Sequence, residues 1–254
     1  MLLDYMKIFF GEKMTLIFPM AGLSSRFVKQ GYTKPKYMLP LYDNSVFFYV
    51  LNGFKTYFNV FEILFIYRDI QDTENFIKRE CAKLSLQKYQ SIKLDNETLG
   101  QAHTTFLGLQ KANISDEESI IIFNIDTFRP NFSLPTCFDI EKVDGYLEVF
   151  EAEGDQWSFV LPEDEKCYKV KRTAEKERIS SFCSSGLYYF RKSKDFKDIF
   201  KTMQEKNDFT KNELYIAPMY NYLIERGDDI RYCKIGLDEI VFCGTPQEYE
   251  KLVY

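Results

Sequence analysis

The sequence predicts a single-domain α/β fold: a three-layer sandwich around a mixed, mostly parallel central sheet, with a smaller second β region. Three observations predict it. Short apolar runs alternate with amphipathic helical stretches through the first half, the pattern of a parallel sheet covered on both faces. "SIIIFNI" (119–125) is apolar almost without interruption and then turns polar, as a buried strand does at its end. The second half changes period. "GYLEVFEA" (145–152), "WSFVLPEDEKCYKVKR" (157–172) and "SSGLYYFRK" (184–192) alternate in polarity with turn signals between them, so their strands can be mixed or antiparallel.

Each element follows in chain order. "TLIFPM" (15–20) reads as a buried strand that ends in small residues. "NSVFFYVLNGFKTYF" (44–58) reads as a helix capped by Asn44 or Ser45. "FEILFIY" (61–67) is a second buried strand, "DTENFIKRECAKLS" (72–85) an amphipathic helix and "YQSIKL" (89–94) a short strand. "GQAHTTFLGLQKA" (100–112) is a third helix, before the 119–125 strand. After the alternating strands come helices over 193–206 and 211–227, a strand over 229–235 and a short one near 238–242. A closing helix spans 245–254, with Thr245 at its cap and Pro246 at its first position. With no repeat, linker or low-complexity run, one domain over 14–254 is expected, preceded by an N-terminal extension over 1–13.

Composition narrows the function. The net charge is -5, which argues against nucleic acid as partner. The six Cys (81, 137, 167, 183, 233 and 243) have no CxxC spacing and there is one His, so neither a zinc site nor a disulfide framework is expected. Free thiols suit a cytoplasmic protein. No apolar run approaches the ~18 residues that a membrane span needs. The 24 Phe and 18 Tyr supply core and are compatible with a homodimer.

The chemistry concentrates after the first strand, in "FPMAGLSSRFVKQGYTKPKYMLPL" (18–41). In open α/β sheets ligands sit beyond the carboxyl ends of the strands. The small residues Ala21, Gly22, Ser24 and Ser25 with Leu23 leave backbone N–H groups open to phosphate oxygens. Arg26 can grip two such oxygens, and Lys36, beside the stiffening Pro35, can stand as a point charge near a reacting phosphate. Alone, the stretch fits a solvated glycine-serine turn equally well. Asp126 in "NIDTF" (124–128) ends the most apolar strand, at the same expected edge. A carboxylate there suits Mg2+, which is held by one or two carboxylates plus substrate phosphates. Gln101 can read a base edge through its amide, and Gly100 lets a base lie against backbone. His103 reads as a structural residue at a helix start.

"FPMAGLSSRF" with "KPKYMLPL" resembles the signature of nucleotidyltransferases that join a nucleoside monophosphate to a phosphorylated acceptor, typically a sugar 1-phosphate. "LGQA" resembles their base-side segment and "NIDT" the segment whose acid holds magnesium. "AEKERISSFCSSGLYYF" (174–190) resembles their acceptor side, and "GTPQEYEKL" (244–252) their closing helix. The resemblance implies a Rossmann-like nucleotide-diphospho-sugar transferase fold whose second β region holds the acceptor. It places Glu175, Lys176, Gly186 and Tyr188 there, with Lys176 and Lys171 as candidates for the acceptor's phosphate. It also implies Mg2+ as cofactor. Many members carry a second metal-binding Asp two residues before the closing Gly-Thr, where this chain has Phe242; either Asp238 replaces it or Asp126 acts with substrate oxygens alone. The wording is most similar to small capsule- and surface-polysaccharide members, including cytidylyltransferases whose acceptor can be phosphoglutamine. CTP is therefore the favoured nucleotide. A hexose-1-phosphate uridylyl-, thymidylyl- or guanylyltransferase and a non-enzymatic nucleotide-binding protein are the alternatives.

Overall fold

The computed structural model describes residues 13–164, 166–210 and 213–253. The extension expected over 1–13 lies outside these, apart from Lys13. The chain is built on one nine-stranded sheet: β1 (Met14–Met20), β2 (Glu62–Arg68), β3 (Tyr89–Leu94), β4 (Ser119–Phe123), β5 (Gly145–Glu151), β6 (Ser158–Asp164), β7 (Lys169–Glu175), β8 (Phe182–Phe190) and β9 (Ile230–Lys234). Its order is β3-β2-β1-β4-β8-β5-β9-β7-β6.

Side chains alternate along each buried strand, and both faces are dry. Leu16 and Phe18 of β1 point into one apolar layer with Phe65 and Phe123; Ile17 points into the other with Ile66 and Ile122. The first layer is closed by α2 (Val46–Asn52) and α3 (Thr73–Lys83), through Phe47, Val50 and Phe76. The second is closed by α4 (Gln101–Lys111), α5 (Ser193–Lys206) and α6 (Met219–Arg226), through Ala102, Phe196 and Leu223. The short α1 (Ser25–Lys29) and the closing α7 (Pro246–Val253) lie at the carboxyl edge, joined by Phe27 against Tyr249.

The sheet is less parallel than its alternation pattern predicts. β1–β2, β1–β4, β2–β3 and β5–β9 are parallel. β4–β8, β5–β8, β7–β9, β6–β7 and β6–β8 are antiparallel. β6 and β7 are joined by a short connection, which forces an antiparallel pair, and β8 runs against both of its sheet neighbours, β4 and β5. The β6–β8 pairing at Cys183 and Phe159 returns this half upon itself, giving it a partly barrel-like curl.

Two helices are shorter than predicted. The 44–58 stretch stops as α2 at Asn52, and a separate 3₁₀ turn follows at Lys55–Tyr57. Gly53 stands at the break, where a Cβ would lie 2.2 Å from the Arg129 carbonyl oxygen, so glycine lets the two backbones pass. Ser45 is the cap, accepting from the Phe48 N–H at 3.2 Å. The 211–227 stretch becomes helical only at Met219, after Pro218. Before it, Leu214 donates to the Leu99 carbonyl at 2.7 Å and accepts from the Ala102 N–H at 3.1 Å. Those bonds commit its backbone to the loop before α4.

Arg129 is almost fully buried, and its guanidinium binds both Glu148 oxygens at 2.9 and 3.0 Å. It also donates to the Glu239 carbonyl at 2.8 Å. Removing one partner of such a buried pair costs about 3–5 kcal/mol. The bond ties the chain after β4 to the segment before α7, where Thr127–Phe128 pairs with Val241–Phe242.

Candidate active site

β1 stands between β2 and β4, so the strand order reverses at its carboxyl end, where open α/β sheets bind ligands. The β1–β4 register sets Ile17 beside Ile122, which brings the loop after Met20 next to the residues after Phe123. Two adjoining lobes of about 390 Å³ each open there. Ser24, Ser25, Lys36, Gln101, Asn124 and Asp126 line both, forming a ridge between them.

The glycine-serine loop and the Pro-Lys segment are locked together. Ser24 takes a left-handed backbone (φ 51°), and its Oγ accepts from the Lys36 N–H at 3.1 Å. Lys36 reaches across the ridge and donates through Nζ to the Asp126 carboxylate. Asp126 is in turn fixed through its backbone, its carbonyl accepting from the Cys243 N–H at 2.9 Å. A Cβ added at Gly22 would meet nothing within 4 Å, so internal packing does not demand glycine there. Its backbone faces the open lobe instead.

The first lobe carries Ala21, Gly22, Leu23, Gly100 and Thr104, with Arg68 and Glu97 paired at 3.4 Å. Gly100 sits at φ 104°, and a Cβ there would lie 2.8 Å from the Leu214 carbonyl oxygen. Gln101 donates through Nε2 to Asn124 Oδ1 at 2.6 Å. Asn124 also lies directly over Gly186, at φ 89°, where a Cβ would be 2.1 Å from Asn124 Nδ2.

The second lobe carries Arg26, Glu175, Lys176, Gly186 and Tyr188. The Glu175 side chain, only 4% exposed, accepts from Ser158 Oγ. Burial pushes the Tyr188 phenol up to about 12, with the nearby Glu175 charge adding to it. Lys176 takes a left-handed backbone (φ 55°), its N–H donating to the Trp157 carbonyl at 2.9 Å. Phe242 and Trp157 pack with ring centroids 4.9 Å apart and wall this lobe.

The structure therefore brings Ala21, Gly22, Leu23, Ser24, Ser25, Arg26, Lys36, Gly100, Gln101, Asp126, Glu175, Lys176, Gly186 and Tyr188 to one split cavity. It does not bring Lys171 or Asp238. The β6–β7 register slips between Val170 and Arg172, and the Lys171 side chain is exposed outside both lobes. Asp238 is exposed in the turn Leu237–Glu239, outside both lobes. That turn is closed by Glu239 accepting from the Gly236 N–H at 2.8 Å and is anchored on Arg129, so Asp238 is held away from Asp126. His103 lines neither lobe; its Nδ1 accepts from the Leu99 N–H at 3.0 Å, a structural role.

Several lining residues escape sequence reasoning. Asn124 lies inside the quoted "NIDTF" yet looks like a turn former; Ser158, Tyr215 and Trp157 carry no local motif at all. Glu248 had a signal, the Thr245-to-Glu248 spacing of a capping box. Its carboxylate accepts from the Gly244 and Thr245 N–H groups, both at 2.9 Å, while Thr245 Oγ1 accepts from the Glu248 N–H at 3.2 Å.

The donor set fits magnesium in one way. Among the described residues no group of three or more His, Cys, Asp or Glu could hold a metal. Asp126 is a mostly buried carboxylate on the ridge, 14% exposed, and Mg2+ needs as little as one carboxylate when substrate phosphates supply further oxygens.

No family model matches the sequence, and no curated protein matches it. Solved structures do. The nucleoside-diphosphate-sugar pyrophosphorylase from Vibrio cholerae RC9 is 43% identical, with a TM-score of 0.88 over 94% of this chain and 99% of that one. The inositol-1-phosphate CTP transferase from T. maritima is 13% identical, with a TM-score of 0.72 over 95% of each chain. A UDP-glucose pyrophosphorylase complexed with UDP-glucose is 18% identical, with a TM-score of 0.69 over 95% of this chain and 97% of that one. The last two share the fold.

Proposed function

Since the chain belongs to the nucleoside-diphosphate-sugar pyrophosphorylase superfamily, we propose that it is a nucleotidyltransferase acting on a phosphorylated small molecule. One observation carries this reading: Arg26, Lys36 and Asp126 line one split cavity at the strand-order reversal, beside the glycine-serine loop. The first lobe takes the nucleoside triphosphate and the second the acceptor, with the reacting phosphorus over the ridge. An acceptor phosphate oxygen attacks the α-phosphorus, a new P–O bond forms, and the bond to the leaving pyrophosphate breaks.

Each residue has a defined task. Backbone N–H groups of residues 21–25 bind triphosphate oxygens. Arg26 and Lys36 offset the negative charge that builds on the non-bridging oxygens. Gln101, held by Asn124, orients the base. Lys176 attracts the acceptor's phosphate, and Glu175 with Ser158 and Tyr188 faces its hydroxyl or amide end. Asp126 would hold Mg2+, which supplies charge neutralisation between the phosphates. Bringing two anions together in line provides much of the remaining rate.

The 43% identical relative, a nucleoside-diphosphate-sugar pyrophosphorylase, supports a sugar phosphate as acceptor, with UTP, dTTP or GTP as donor in the first reading. A second reading, CTP with an acceptor such as phosphoglutamine, is favoured by Glu97 in the base-side lobe. A carboxylate accepts a hydrogen bond from the exocyclic amino group of cytosine, which uracil and thymine lack. Pyrophosphate release with CTP, UTP, dTTP and GTP, each with hexose 1-phosphates and phosphoglutamine, decides between them. Release with no pair would defeat the proposed activity; release with CTP alone would favour the second reading.

A further inference from the structure

The segment before α6 does more than close the fold. Its Leu214 backbone is bonded to Leu99 and Ala102, fixing the segment against the start of α4. Glu213 lines the first lobe and Tyr215 the second, so this one segment contributes a side chain to each wall. The Tyr215 hydroxyl accepts a hydrogen bond from Lys176 Nζ. The Glu213 carboxylate stands close to the same hydroxyl. Burial, reinforced by that carboxylate, pushes the Tyr215 phenol up, so it stays a neutral hydroxyl.

Lys176 needs such a restraint. Its left-handed backbone is a conformation that a non-glycine residue keeps only where neighbours fix it. The main chain is fixed by the Trp157 carbonyl at 2.9 Å. The side chain has Glu175 at 3.9 Å, beyond hydrogen-bond range, so Tyr215 is the hydrogen-bonding partner that aims the ammonium. A lysine left to itself samples many rotamers, and ordering it during binding would weaken the acceptor's affinity.

We infer that Tyr215 is a positioning residue: with Glu213 behind it, its hydroxyl holds the Lys176 ammonium in place for the acceptor's phosphate. The inference rests on the proposed function for the identity of the acceptor, but not for the contact itself.

Two measurements on Tyr215→Phe test it, one of them independent of activity. Kinetics should show an acceptor KM raised about tenfold, the loss of one charge-assisted hydrogen bond. The KM for nucleoside triphosphate should stay within about twofold of wild type, since ordering is lost only at the acceptor lysine. Trace acetylation of the folded protein with acetic anhydride, read by peptide mass spectrometry, should show Lys176 reacting faster in the variant while Lys171 is unchanged. Circular dichroism and thermal melting check that the variant folds. Unchanged Lys176 reactivity, or both KM values rising together, would overturn the inference. If wild type transfers to no acceptor, the proposed function falls, and the acetylation result alone decides the role of Tyr215.

Discussion

The two halves of the sheet build their lobes by opposite means. Around β1, β2 and β4 the strands are parallel, each loop leaves at the same edge, and ligand-facing groups come in short consecutive runs: residues 21–25, 100–101 and 124–126. Around β5–β9 the strands run mostly antiparallel. There the lobe is assembled from single side chains at Ser158, Glu175, Lys176, Tyr188, Tyr215 and Phe242, spread over 85 positions. Parallel topology concentrates chemistry into motifs, whereas antiparallel topology scatters it.

The largest expected effect sharpens that contrast. Lys36→Ala should lower kcat by about 10²–10³, the loss of one charge-stabilising group at the reacting phosphorus, with little change in urea midpoint. A single substitution in the compact half would then outweigh any one in the scattered half. Turnover within tenfold of wild type would remove Lys36 from its assigned task and break the comparison.

A smaller effect is expected where the halves meet. Gly186→Ala, on β8, places a methyl against Asn124 and forces a side chain onto a left-handed backbone. Urea unfolding should show roughly 1–3 kcal/mol of destabilisation from the overpacking. The triphosphate KM should rise as well, because Asn124 can no longer hold Gln101. An unchanged KM would show that the two halves act separately.

The smallest effect lies outside both lobes. Burial lowers the His103 imidazole below its ordinary 6.5, so the folded protein favours the neutral ring, whose Nδ1 accepts from Leu99. Its contribution to stability is complete above 6.5 and is lost as pH falls from there through the lowered folded value. A thermal melting series should show a drop of no more than about 2–4 °C over that window, absent in His103→Gln. A pH-independent melting temperature would show that the imidazole does not couple to folding.

The residues after β1, after β4 and at the start of α7 were legible because local rules describe them. Small residues after an apolar strand, an acid ending "SIIIFNI", and Thr245 with Pro246 at a helix start each need only their neighbours in sequence. Lys171 shows the limit of that reasoning. It lies four residues from Glu175, yet a one-residue slip against β6 leaves it outside the cavity. Asp238 fails for a longer-range reason: buried Arg129, 109 positions earlier, holds its turn.

By itself the sequence determined the alternation of strand and helix, the buried character of β1, β2 and β4, and the compact cluster of phosphate-binding candidates. These depend on periodicity and residue chemistry within about twenty positions. Only the tertiary structure decided that β8 pairs antiparallel with β4, that Phe242 joins an aromatic wall with Trp157, and that Tyr215 meets Lys176. Strand register and segment crossing are set by packing between distant parts of the chain, and no local stretch encodes them.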